Sequence, residues 1–555
     1  MVAFLGSVSA GTAAATSDDL FFSELPIVAS VSRLPQRLSD ASASVTVIDR
    51  DMIKASGARD LNDIFRLVPG FQTYPNNTDA ARVTYHGLTD EDFSPRVQVL
   101  IDGRSQYSPL FRNGVNWATL PVALEDIERV EVVRGSNAVS YGSNAFLGVI
   151  NIITVDPALA HGVSVGVNRG NQGVRDTTLR AGGRLGEAGD FRFTYQAKDD
   201  DGLEDQFDWQ DSLRSRMFNL RTDFWLSQRD QLQFSIGHVE ARTTLGRLAK
   251  SGDVLTGGFA PGNPIRDFDQ SDSYLQLQWY RALDDSSDFR LRYAYTEDRG
   301  SEQHIERRSR RGVSWAGETN LLYELDAFGD VGTRHEVEGQ HAFSPLQAVR
   351  MVWGAGYRLD SLRSETYLRD QGTVYRRVGR VFGNLEWKPV EWFTGNLGAA
   401  SEYDSLAGRN FAPRASTSFH LSPEHTIRVG GSRAYRTGSI VDYRGDRQAV
   451  PFATASGVPV PAGLFHQREY YGDSNAEQEK ITTVELGYLG EFKSLRSSLD
   501  VRFFRERIPN RKYDVKHRLT DPALCDSPPT SGCTEPYRTS SIQDVKIRGV
   551  EYQWR

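Results

Sequence analysis

The chain has 555 residues, enough for several ordinary domains or for one small domain beside one very large sheet. Its 65 Lys and Arg against 72 Asp and Glu give a formal net charge of −7, without the basic surplus of a nucleic-acid binder. No run of about eighteen strongly apolar residues occurs, which excludes a membrane-spanning helix. A mean hydropathy of −0.47 still leaves room for spanning strands, which need an apolar residue only at every second position.

In chain order, residues 1–17, "MVAFLGSVSAGTAAATS", are uncharged and rich in small side chains, with Ala13, Ala14 and Ala15 at a suitable cleavage position. They read as the back half of a secretory signal without its positive start, the alternative being an unstructured tail. Residues 39–155 mix short elements. "ASVTVID" predicts a strand, and "DLNDIFRLVPG" predicts a helix whose Leu61, Ile64, Phe65 and Val68 share one face until Pro69-Gly70 stops it. "RVQVLIDGRS" predicts a strand ending in an Asp102-Gly103 turn, and "IERVEVVRG" a further strand. A compact α+β domain of about 120 residues follows from these elements, large enough for its own core.

Beyond residue 155 the helical period gives way to alternation. "FRFTYQA" (Phe191, Phe193, Tyr195), "LQFSI" (Leu232, Phe234, Ile236) and "VRMVWGAGY" (Val349, Met351, Trp353, Ala355, Tyr357) each carry one apolar and one polar face. Short connections such as 186–190, 226–231 and 344–348 alternate with long polar ones such as 242–272, 296–334, 437–480 and 508–542. An outer-membrane barrel sorts its connections in this way, with short periplasmic turns and long external loops. The alternation predicts about 16 strands over 156–555, with charged residues lining the interior.

"SVTVIDRDMIKASGARDLNDIFRLVPG", "VLIDGRS" and "IERVEVVRGSNAVSYGSNAFLGVINIIT" occur in the order and spacing of the plug of TonB-dependent outer-membrane receptors, and the chain resembles that family from residue 44 to its end. The resemblance implies a mainly β fold, a small α+β plug inside a large antiparallel transmembrane barrel. It implies a non-enzymatic receptor that takes up a scarce solute across the bacterial outer membrane, in contact with outer-membrane lipid and an inner-membrane energy-transducing protein of the TonB type.

The same resemblance assigns candidate residues. Within the periplasmic segment 18–38, Ile27, Val28, Ala29, Ser30 and Val31 are similar to a TonB box, able to add a strand to a partner's sheet; a first plug strand is the alternative. Arg134, followed by Gly135, occupies the place of an arginine at the plug and barrel interface, and Glu551 in "IRGVEYQW" is its candidate partner. A solvated strand-end charge is the other reading of Arg134. His86 stands where the family has a second arginine; with an ordinary pKa of about 6.5 it is expected to be a structural and mostly neutral side chain at pH 7.

Ferric siderophores are the substrate class the family suggests first. The segment "AYRTGSIVDYRGD" departs from the paired motifs of haem receptors. Tyr74, Asn76 and Asn77, together with Tyr107, Phe111, Arg112 and Trp117 around "SPLFRNGVNW", are the candidates for contact with such a metal chelate; packing of loops is the other role open to them. No nucleophile, phosphate-binding or metal-ligand motif occurs, so neither catalysis, a cofactor nor a resident metal is expected.

Cys525 and Cys533 are the two cysteines, spaced to close a small loop in an oxidising compartment or to remain free thiols. The family expects 22 strands and a terminal aromatic residue, whereas this sequence reads "EYQWR" at its end, so a C-terminally incomplete barrel is expected. A truncated, non-transporting adhesin-like barrel and a signalling receptor are the alternatives to an uptake receptor.

Overall fold

A computed structural model describes residues 27–74, 82–88, 96–203, 208–247, 264–309, 314–326, 329–462, 464–465, 467–517 and 536–555. The signal-like segment 1–17, Asn76, Asn77, Cys525 and Cys533 lie outside the described residues.

The plug is built on a five-stranded sheet in the order Val45–Asp49, Ile127–Arg134, Gly148–Thr154, Val97–Ile101, Arg104–Ser105. Its pairs are antiparallel except that of Val97–Ile101 with Gly148–Thr154. The expected Asp-Gly turn is formed by Asp102 and Gly103 with φ of 47° and 80°, the left-handed pair that a tight hairpin needs. Ile48, Ile64, Phe65, Val130, Val132, Ile150 and Ile152 are completely buried in its core.

Two helical details differ from expectation. Leu61–Leu67 is a 3-10 helix rather than an α-helix. Asp60 makes no side-chain cap there, and seven residues ahead of Pro69 give too little length for a stable α-helix. The α-helix of this region is Arg50–Ser56, capped by Asp49, whose side chain accepts from Met52 N, and closed by Gly57 at φ 67°.

One 20-stranded antiparallel-dominated sheet runs from Gly162–Arg169 to Tyr537–Trp554. Four of its strands, Asn320–Asp326, Asp446–Ala449, Pro451–Thr454 and Gln467–Tyr471, are short pieces within the long external connections. The remaining sixteen succeed one another along the wall, in agreement with the count from alternation. The alternation also sorts the faces: Trp353, Leu397 and Val484 point outward and are exposed, whereas Arg192, Thr194, Arg376 and Arg502 point inward and are buried.

Candidate functional site

The interface between plug and wall is polar, and its charges are arranged as paired sets. The largest set converges on Glu551, which the Tyr537–Trp554 strand points inward. Its carboxylate accepts from Tyr85 Oη at 2.7 Å and Arg134 Nη1 at 3.3 Å, and stands 2.9 Å from His86 Nε2. Arg134, completely buried, also reaches Asp500 with Nη2. Two barrel carboxylates thus hold one plug guanidinium, which is the geometry of an interface charge and not of a solvated one.

His86 sits at φ 57° between the rings of Tyr85 and Phe504, with centroids 3.8 and 4.6 Å away. Its Nδ1 faces Glu506 Oε2 at 3.0 Å while Nε2 faces Glu551. A neutral imidazole donates from one nitrogen only, so two carboxylate acceptors call for the imidazolium. Burial alone would depress its pKa, but the hydrogen bonds to Glu506 and Glu551 outweigh it and the pKa is raised. The expectation of a mostly neutral His86 is therefore corrected: its two carboxylate neighbours favour the protonated ring.

Close approach of backbone to these charges explains two glycines. A Cβ on Gly135, at φ 98°, would lie 2.8 Å from Arg502 Nη2. One on Gly70, at φ 79°, would lie 2.6 Å from both Glu551 Oε1 and the Tyr85 ring.

Segment 27–31 is folded against the plug. Ile27–Val28 pairs with Gln36–Arg37, leaving Ile27 62% exposed while Val28, Ser30 and Val31 are buried. Ser30 N and Oγ donate to Glu131, and Asn137 Nδ2 donates to the carbonyls of Ser30 and Val31 at 3.0 Å each. Arg33 follows at φ 65° and bridges plug and wall, with Nε donating to Ser140 O at 2.6 Å, Nη1 on Glu338 Oε1 and its guanidinium over the Phe382 ring at 4.6 Å. Glu338 also receives Arg380 and Arg292. Next along the chain, Gln36 donates to Glu386, and Asp40 pairs with Lys388 and His420. Arg33 and these wall partners escape sequence reasoning, because an inward polar residue on an alternating strand carries no mark of the residue it will meet.

At the opposite end, the apex loop of the plug meets external segments. Phe111 packs with Leu110, Leu368, Ile440, Val441 and Tyr470. Arg112 reaches Asp442 at 3.1 Å and Asp514 at 3.4 Å, over the Tyr470 ring. Asp442 belongs to a short helix, Ile440–Arg444, closed by a reciprocal capping box with Ser439. Tyr107 is buried, with Oη donating to Asn144 O; Trp117 is partly buried against Phe65, and Tyr74 is partly exposed at the end of Phe71–Tyr74. The candidates for ligand contact are thus not brought together: Phe111 and Arg112 lie under the external helix, while Trp117 and Tyr107 belong to the plug interior. A polar cavity of about 350 Å³ lies between plug and wall, lined by Arg33, Asp102, Thr154, Arg221 and Arg292 among others. Among the described residues no group of His, Cys, Asp and Glu is placed to hold a metal.

Residues 37–149 match the model of the TonB-dependent Receptor Plug Domain, and residues 162–555 that of the TonB dependent receptor-like, beta-barrel family. An iron-regulated outer membrane virulence protein of Vibrio cholerae is 25% identical over 562 residues, covering 97% of this chain and 76% of that protein. A vitamin B12 transporter, BtuB of Vibrio vulnificus, is 33% identical over 176 residues, or 30% of this chain and 28% of its own. Among solved structures, the siderophore receptor PirA from Pseudomonas aeruginosa superposes with a TM-score of 0.65 at 18% identity, over 92% of this chain and 81% of its own. A ferric enterobactin receptor mutant from the same organism, in complex with enterobactin, gives 0.68 at 16% identity, over 92% and 78%. These structural likenesses establish the fold.

Proposed function

Since the chain belongs to the TonB-dependent receptor family and is a β-barrel of the outer membrane, we propose that it captures a ferric siderophore from outside and imports it to the periplasm, driven by an inner-membrane TonB-type protein acting on residues 27–31. One observation carries this reading: a single plug touches the external helix through Arg112 at one end and holds segment 27–31, with Ile27 exposed, at the other. Occupancy outside and force from inside then act on the same body.

The order in which contacts yield follows from their strengths. Ser30 and Val31 are held to the plug by hydrogen bonds to Glu131 and Asn137, worth about 1 kcal/mol each if neutral and somewhat more to a carboxylate. Arg33 is held to Glu338 on the wall, and stripping one partner from a buried pair costs about 3–5 kcal/mol. A pull on residue 27 thus reaches the plug sheet first and the wall next, beside the polar cavity at Arg33. The solute path opens there, while the Glu551 set keeps the other side of the plug seated.

A ferric siderophore is favoured as the solute because the relative matched over nearly the whole chain is described as iron-regulated; the likeness to the vitamin B12 transporter spans under a third of the chain. The test is uptake of labelled iron by iron-starved cells that carry this receptor alone, supplied with a panel of ferric siderophores. Energy-dependent uptake of at least one ferric siderophore is expected. Uptake of cobalamin with no ferric chelate transported would overturn the choice of solute.

A further inference from the structure

The polar cavity of about 350 Å³ beside Arg33 has a narrower one, of about 50 Å³, in line with it. Gln233 and Arg290 of the wide cavity lie three residues into their strands from the short turns before Asp230 and Ser287. Arg358 and Glu402 of the narrow one lie nine residues from Val349 and Phe393. The wide cavity is thus the one nearer the periplasm. Both touch Arg33, Gly103, Tyr141, Arg292 and Glu338, which form the partition between them. Only the wide one reaches the range of about 300–1,000 Å³ of small-molecule sites.

Its charges are already matched. Glu338 faces Arg33 and, at 3.5 Å, Arg292; Asp223 and Asp102 stand 2.7 and 3.8 Å from Arg221; Asp288 stands 3.5 Å from Arg290. No guanidinium of this wall is left over for an anion. Drawing Arg33 out with segment 27–31 leaves Glu338 to Arg292 and Arg380, and the cavity then has one positive charge fewer.

Hydrogen-bond donors, by contrast, are unmet. Gln233 is 8% exposed and Arg292 is 9% exposed; Gln233 Nε2 and Arg292 Nε are buried without a hydrogen-bond partner among the described residues. The register sets Gln233 opposite Gln278, and Gln278 opposite Arg292. All three line the cavity, so they form one inward row across three strands, with neighbours about 4.5–5.5 Å apart. Buried donors in native proteins are paired, so this row calls for oxygen acceptors.

We propose that the wide cavity is a transit site for a neutral, oxygen-rich metal chelate of the hydroxamate type, a reading that rests on the uptake function proposed above. Three singly charged hydroxamates cancel the charge of iron(III), whereas three doubly charged catecholates leave a triply negative complex. The neutral chelate gives the row its acceptors without bringing an unpaired charge into a place with no spare cation. Withdrawal of Arg33 opens the partition beside Tyr141, and the chelate passes to Gln233, Gln278 and Arg292 on its way to the periplasm.

The first measurement needs no transport. The purified full chain is dialysed against tris(acetohydroxamato)chromium(III), a neutral chelate that keeps its ligands, or against tris(catecholato)chromium(III), its triply negative counterpart, and bound chromium is counted. Saturable binding of the neutral complex, about tenfold tighter than that of the anionic one, is expected of the wild type. Equal or tighter binding of the anionic complex would overturn the ligand class. Gln233→Leu with Gln278→Leu should weaken the neutral complex about tenfold, through the loss of two hydrogen bonds. Unchanged binding by this variant would overturn the place.

The second measurement is uptake of ferrichrome, a neutral trihydroxamate, by iron-starved cells carrying this receptor alone. The same variant should bind it at the surface like the wild type and import it at about a tenth of the maximal rate. An unchanged rate would overturn the transit role. Chromium binding as expected, in a wild type that imports no ferric chelate, would keep the site and overturn the uptake reading. Uptake without any cavity binding would do the reverse.

Discussion

Arg134 Nη1 of the plug lies 3.3 Å from Glu551 Oε2 of the barrel, although 417 positions separate the two residues in the chain. Asp500 completes the contact, so a guanidinium without solvent exposure is held by two carboxylates of the wall. Pairs of this kind are weak evidence for net stability, but losing one partner leaves a buried charge uncompensated.

Arg134→Ala is therefore expected to loosen the plug by about 3–5 kcal/mol, seen as faster leak of small solutes through the barrel in liposome swelling. Arg134→Lys should recover only part of the loss, because a point ammonium does not span Asp500 and Glu551 as a planar fork does. Unchanged leak in Arg134→Ala would mean that the pair does not seat the plug.

His86 gives this contact a dependence on pH. Its folded-state pKa is raised, so its contribution is complete below the unfolded value of about 6.5 and is lost as pH rises through the raised folded value. Plug release by denaturant should become easier in the wild type as pH rises above about 6.5 and through the raised folded value. His86→Gln should remove that slope. A variant with the slope of the wild type would contradict the imidazolium.

Gly135→Ala combines a left-handed backbone with a Cβ 2.8 Å from Arg502 Nη2. About 1–3 kcal/mol of destabilisation is expected, measured as a lower midpoint for plug unfolding with barrel unfolding unchanged. Coincident midpoints for wild type and variant would show that the strand end moves freely.

Arg112→Ala removes the bonds of the apex loop to Asp442 and Asp514. Hydrogen bonds to charged groups contribute about 1.5–3 kcal/mol, so ligand affinity should change by about tenfold or more if the external helix closes over the bound chelate. Titration of the purified receptor with the transported siderophore reads this directly, and an unchanged affinity would separate the Arg112 contact from capture.

Much of this architecture is legible in the sequence because it rests on local signals. Strand alternation survives anywhere one face meets lipid, and "VLIDGRS" carries its turn in Asp102-Gly103. Arg134 and Glu551 are legible through the ordered motifs around them. The Arg50–Ser56 helix had local signals as well, Asp49 before it and Gly57 after it, yet its seven residues are too few for a periodic apolar stripe to stand out. The external helix Ile440–Arg444 is also announced only by its cap, Ser439 with Asp442 three residues on, inside a long polar connection. Arg33 with Glu338 has no local signal, since the pairing of a plug arginine with one inward glutamate among many depends on how the plug is seated in the barrel.

The measurement that tests the account most directly is energised uptake by Ile27→Pro, with binding of the same ferric siderophore to the same cells measured in parallel. Proline removes the donor that an added strand would use, while the apex loop lies at the other end of the plug. Binding like that of the wild type with uptake abolished is the predicted result. Uptake at the wild-type rate would contradict the role of residues 27–31 and, with it, the proposal that force enters the plug beside Arg33.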